Sequence, residues 1–99
     1  MTNTFAVVVA ALAGRGGVSR GRMFGSAGLK VGGKVFAMEV KGRLVVKLPV
    51  ARADELVANG AQYFDPGHGR LMRQWVCVGP DGALNWLVIA REALAFSGQ

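Results

Sequence analysis

The sequence predicts a two-layer α+β domain carrying an antiparallel sheet of five strands, in the order α-β-β-β-α-β-β-α. Three observations point there. Apolar residues recur at helical spacing near both ends of the chain but with a period of two between them. Glycines break the period-two stretch at intervals short enough for tight turns. The strand–helix–strand alternation that marks a parallel sheet is missing. At 99 residues the chain has the length of one domain.

The first helix follows Thr2, Asn3 and Thr4, all good capping residues, and places Phe5, Val8, Val9 and Leu12 on one side. Gly14 stops it, and Gly16-Gly17 continues the break. Met23 to Val31 reads as a strand interrupted by Gly25 and Gly28. Gly32-Gly33 is a two-residue hairpin signal. Lys34 to Lys41 follows, with Phe36, Met38 and Val40 expected on one face and Val35, Ala37, Glu39 and Lys41 on the other. Gly42 turns the chain again into Arg43–Leu48, where Leu44, Val46 and Leu48 oppose Arg43, Val45 and Lys47. Pro49 ends this meander.

Val50 to Asn59 reads as the second helix, terminated by Gly60. Ala61–Phe64 is a short strand, Asp65 to Gly69 a loop, and Leu71–Val78 a strand with Trp75 and Cys77 on one face. Gly79-Pro80-Asp81-Gly82 is a turn, with Asp81 placed to cap the last helix, Ala83 to Phe96. There Leu84, Leu87, Val88 and Leu94 fit a core stripe widened by Trp86 and Ala90, while Ile89 and Phe96 fall off it. A helix apolar on nearly every side predicts self-association through Ile89 and Phe96, hence a homodimer.

Composition bounds the function. The chain is 52% hydrophobic and 18% charged, which excludes a disordered tail. Its longest apolar run, Phe5 to Ala13, is about half of what a bilayer span needs, so no membrane partner is expected. No basic leader precedes that run, so it reads as part of the folded protein rather than a signal peptide. The lone cysteine, Cys77, suits a reducing compartment and predicts a cytoplasmic location. The net charge of +6 is concentrated: Arg15, Arg20, Arg22, Lys30, Lys34, Lys41, Arg43 and Lys47 share one segment with a single acid, Glu39. Such a segment either attracts an anionic partner or is simply a solvated face with lysines guarding sheet edges.

Candidate chemistry is sparse. Neither Gly14-Arg15-Gly16-Gly17 nor Gly21 to Gly25 has the spacing or setting of a phosphate-binding loop. The loop Pro66-Gly67-His68-Gly69-Arg70 is the best small-site candidate, because His68 titrates near neutrality and Arg70 recognises anions. No nucleophile is adjacent to it, and Cys77 sits mid-strand, where cysteine behaves as a small hydrophobe. One histidine and one cysteine cannot ligate zinc, so neither metal nor cofactor is expected, and the chain reads as no enzyme. Arg22, Lys30, Arg43 and Lys47 with Phe24, joined by Arg70, are the residues expected to contact nucleic acid if the basic sheet serves that purpose. No recognition helix is evident, since the second helix carries only Arg52 and the third only Arg91.

The series Arg22-Met23-Phe24-Gly25, Gly28-Leu29 and Gly33 to Met38, followed by Gly42 to Leu48, resembles the opening of the TfoX amino-terminal domain. Gly60, Phe64, the Gly67–Arg70 loop, Met72 and Trp75 continue the resemblance, which runs from about Met23 to Phe96; Ser26 departs from it where the family commonly has glycine. The resemblance implies a two-layer α+β fold and a regulatory or adaptor role in competence, exerted through a protein partner and without catalytic residues. Longer TfoX-like regulators carry a second, carboxy-terminal domain with no counterpart in these 99 residues. Nucleic-acid binding by the basic sheet is the alternative.

Overall fold

The computed structural model describes residues 3–23, 26–65 and 72–98, except the side chains of Met23 and Met72. Its elements run α1 (Phe5–Leu12), β1 (Val18–Met23), β2 (Ser26–Val31), β3 (Lys34–Val40), β4 (Arg43–Lys47), α2 (Val50–Ala58), β5 (Gln62–Phe64), β6 (Met72–Val78) and α3 (Trp86–Ser97). The six strands form one antiparallel sheet in the order β1-β2-β3-β4-β6-β5. The α+β class and the antiparallel sheet are as the sequence predicts; the order gains one strand.

That strand is β1. Met23–Val31 is not one interrupted strand, because Met23 closes β1 and pairs back with Ser26 of β2. The sequence Val-Ser-Arg-Gly-Arg-Met shows no apolar alternation because β1 is an edge strand, bonded on one side only and bearing arginines as edges commonly do.

The turns follow their glycines. Gly32 and Gly33 both have positive φ (58° and 82°), as does the pair Lys41-Gly42 (51° and 75°). Two left-handed residues in succession give the hairpin turn whose twist matches the flanking strands. Lys41 takes this conformation with a Cβ, at a cost that glycine avoids.

The pleat of β3 departs from simple alternation. Leu29 pairs with Ala37 and Lys30 with Val35, so Phe36 is an extra residue in β3, a β-bulge. Phe36 and Ala37 therefore both enter the main core, while Val35, Met38 and Val40 belong to the opposite side. The expected grouping of Phe36 with Met38 and Val40 is overturned, because one inserted residue reverses every face beyond it. In β4 and β6 the alternation holds: Leu44, Val46 and Leu48 lie with Val76 and Val78 in the main core, and Val45 lies with Trp75 and Cys77 on the other face.

All three helices contribute to that main core: Phe5, Val8 and Leu12 from α1, Ala53 and Leu56 from α2, and Trp86, Ile89, Ala90 and Ala93 from α3. Helix α3 begins three residues later than expected, with Asn85 rather than Asp81 as its cap; the Asn85 side chain accepts from Val88 N–H at 3.1 Å. Its buried stripe is shifted too. Ile89 is 2% exposed and Val88 50%, the reverse of the sequence reading, because a helix apolar all round offers too little contrast to set the phase. Ile89 is thus a core residue and not part of an association surface.

Partly buried polar tethers join distant segments. The Asn3 side chain donates to Leu84 O (3.0 Å) and accepts from Trp86 N–H (3.2 Å), tying the start of α1 to the start of α3. Trp86 Nε1–H donates to Gly79 O at 3.1 Å. Arg52 of α2 grips Glu92 of α3 with two hydrogen bonds, Nε to Oε1 at 2.7 Å and Nη2 to Oε2 at 3.0 Å. Asparagine tolerates the left-handed region better than lysine, so Lys41→Asn should raise stability by about 0.5–1 kcal/mol. Urea unfolding checks this as a higher midpoint at unchanged slope.

Candidate functional site

Strand register decides which cations share a surface, since residues paired across an antiparallel ladder point to the same side. Lys30 pairs with Val35, Arg43 with Val40 and Lys47 with Trp75, so these three basic residues lie on the helix-free face. Arg22 pairs with Ala27, next to Leu29 in the same order as Arg20, and both arginines lie on the helix side. The expected basic quartet is therefore divided three to one. Arg70 and His68, proposed as anion-binding and small-site residues, and Phe24, proposed as a stacking ring, lie outside the described residues.

The helix-free face is apolar at its centre and basic at its margins. Met38, Val45, Phe64 and Trp75 form a second cluster there, flanked by Val35, Val40 and Cys77. Phe64 and Trp75 are each 7% exposed, so neither ring is presented for stacking on a base. The stem of Lys30 crosses Gly21: a Cβ at that glycine would stand 2.5 Å from Lys30 Cε. Lysine covers apolar strand surface in this way while its ammonium reaches outward. Arg43 and Lys47 stand about 13 Å apart along β4.

Cys77 lies on this face, beside Arg43. Burial pushes its thiol above the ordinary value, and the Arg43 hydrogen bond and charge pull it back only in part. A thiol held neutral is a poor nucleophile at physiological pH. Among the described residues no three His, Cys, Asp or Glu side chains gather where they could hold a metal ion.

The remaining ionised groups of α2 are committed to structure. Arg52 contacts Glu55 as well as Glu92, and the Glu92 hydrogen bonds foremost raise its pKa. Asp54 is held below the usual carboxylate range, first by the hydrogen bond it accepts from the Tyr63 hydroxyl and then by Arg73, 3.2 Å away. Phe96 is half-buried and borders a shallow 360 Å³ groove with Leu48, Pro49, Arg52, Glu92 and Ala95.

A larger concavity lies elsewhere. Helix α1 packs on α3 and stands off from the outer strands, leaving a groove of about 630 Å³ between α1 and β1–β2. Phe5, Ala6, Val9 and Ala10 form one wall; Arg20, Gly21, Ala27 and Gly28 form the other. Its walls are apolar except for Arg20, and its floor is shallow-chained because glycine and alanine occupy it. Sequence reasoning missed this site. Its only trace was a helix, Phe5–Leu12, with no polar residue on any side.

The family model described as TfoX N-terminal domain matches residues 10–97. The match takes in the end of α1, the whole sheet, α2 and α3. No curated protein and no solved structure matches the chain. No helix among the described residues is long and apolar enough to cross a membrane.

Raising the Cys77 pKa means that the native state holds its proton more tightly than the unfolded chain does. The stability this contributes is complete below the unfolded thiol value and is lost as pH rises through the folded one. Alkylation of the native protein by iodoacetamide should accordingly reach its half-maximal rate at a higher pH than alkylation of the urea-unfolded chain. Coincident profiles would show that the thiol is not desolvated.

Proposed function

We propose, for a chain that belongs to the TfoX N-terminal domain family, a non-enzymatic regulatory or adaptor role of the competence-regulator kind, exercised through contact with a protein partner in the cytoplasm. The family match over nearly the whole chain carries this reading, because it covers every structural layer rather than one motif. The physical features agree with it. The raised thiol of Cys77, the structural ion pairs of Arg52 and Asp54, and an apolar groove all suit recognition better than bond-making.

Two measurements test the reading. Removing the gene from its native host should alter transcripts of DNA-uptake genes, and restoring the chain should reverse the change. Purification after in-cell cross-linking should retain a stoichiometric protein that survives nuclease digestion. Unaltered transcripts together with no retained protein would reject the regulatory reading.

Nucleic-acid contact is the second reading, supported by Lys30, Arg43 and Lys47 sharing one face. Three phosphate contacts to single-stranded nucleic acid predict a log–log salt slope of about −2. Lys47→Ala should reduce that slope by roughly 0.7. A salt-independent affinity, or no binding at low salt, removes this reading.

A further inference from the structure

We infer that the groove between α1 and β1–β2 is a docking site for an acidic amphipathic helix of a partner protein. The inference rests on the protein-contact reading above and deepens it by naming the surface and the chemistry of what fills it.

The helix layer over the sheet is incomplete at this end. The sheet is six strands wide, about 24 Å between its outermost strands. Three helices supply its main core; α1 packs closely on α3, and on its outer side the groove separates Ala6 and Ala10 from Arg20 and Ala27. Helices pack at 8–10 Å from their neighbours, the spacing that a helix laid beside α1 on this strip would take. On the strand side only the methyl of Ala27 and the backbone of Gly21 and Gly28 stand beside Arg20, so such a helix can sit close to the strands.

The wall formed by α1 is apolar outward as well as inward. Ala6 and Ala10 are exposed, and Val7 is 41% exposed, on a helix with no polar residue to offer water. An amphipathic helix covers such a wall with residues spaced i, i+3, i+4 and i+7.

Charge selects the partner. Arg20 lines the groove, Arg22 lies on the same side of the same strand, and Arg15 stands in the loop that leads into it. The segment from Arg15 to Lys47 contains a single acid, Glu39, on β3. A groove with apolar walls and a cationic rim favours a helix whose apolar stripe is bordered by Asp or Glu. A small amphiphile fits less well, because a small-ligand site needs several convergent polar groups and this one has only Arg20.

The test uses the whole chain and two synthetic helical peptides, one with a leucine stripe bordered by glutamates and its twin bordered by lysines. Titration monitored by amide chemical shifts should move α1, β1 and β2, with the glutamate peptide binding more tightly. Arg20→Glu, an exposed substitution that should leave the unfolding midpoint in place, should weaken the glutamate peptide about tenfold and strengthen its twin. Ala10→Gln, which adds bulk and polarity to the wall without charge, should weaken both. Equal affinities for the two peptides, shifts elsewhere on the fold, or tighter binding of dodecanoate at the same amides would overturn the inference. In native cells, a photo-cross-linker replacing Ala10 should capture an acidic amphipathic segment, identified by sequencing the joined peptide, and one replacing Lys47 should not. Capture only from position 47 would reject this groove but keep the protein-contact reading. Capture from neither position would reject both. Capture of a second copy of this chain through position 10 would replace the partner by a dimer and overturn the inference.

Discussion

The extra residue at Phe36 governs this molecule's surfaces. By inserting one position into β3 opposite Leu29 and Lys30, the bulge sends both Phe36 and Ala37 beneath the helices and turns Met38 and Val40 outward. The first effect supplies the main core with an aromatic side chain near the middle of the sheet. The second aligns Met38 with Val45 across the β3–β4 ladder, giving the helix-free face its own apolar centre. Without the bulge, Phe36 would lie with Met38 and Val40, and Val35, Ala37 and Glu39 would share the opposite face. Bulges also increase local twist, which suits a sheet that must curl around three short helices.

The helices are held by different means, and the difference bears on function. Helix α2 is short and has no side-chain cap at Pro49; the Arg52–Glu92 pair and the Asp54–Tyr63–Arg73 contacts fasten it to α3, β5 and β6. These pairs are partly exposed, so they orient more than they stabilise. Helix α3 has a well-formed cap and buries Trp86 with its indole N–H satisfied. Helix α1 is fastened through Asn3 and its contact with α3, away from the strands beneath it. Its eight apolar residues are more than one buried side requires, and the surplus forms the wall of the groove.

This distribution separates two surfaces that the charge pattern merges. In sequence, the arginines and lysines between positions 15 and 47 form one basic block. In space, Arg20 and Arg22 belong to the groove side, whereas Lys30, Arg43 and Lys47 belong to the face beyond the sheet. The two settings differ physically. Arginines beside apolar walls would favour an acidic helix, whereas cations spaced around a closed apolar centre would offer only diffuse attraction to phosphates.

The sequence by itself determined the α+β class, the meander from Lys34 to Lys47, α2, β5, β6 and the family likeness. Gly32-Gly33 and Gly42 mark turns chemically, and two-residue alternation in Arg43–Leu48 and Trp75–Val78 marks faces, so both signals are local. Tertiary structure alone decided the existence of β1, the reversal at Phe36, the phase of α3 and the groove at α1. An edge strand is stabilised by a neighbour's backbone, a bulge by the register of the strand opposite, and an all-apolar helix takes its orientation from what it packs against. None of these is encoded in the spacing of a segment's own side chains, because the deciding partner lies elsewhere in the chain.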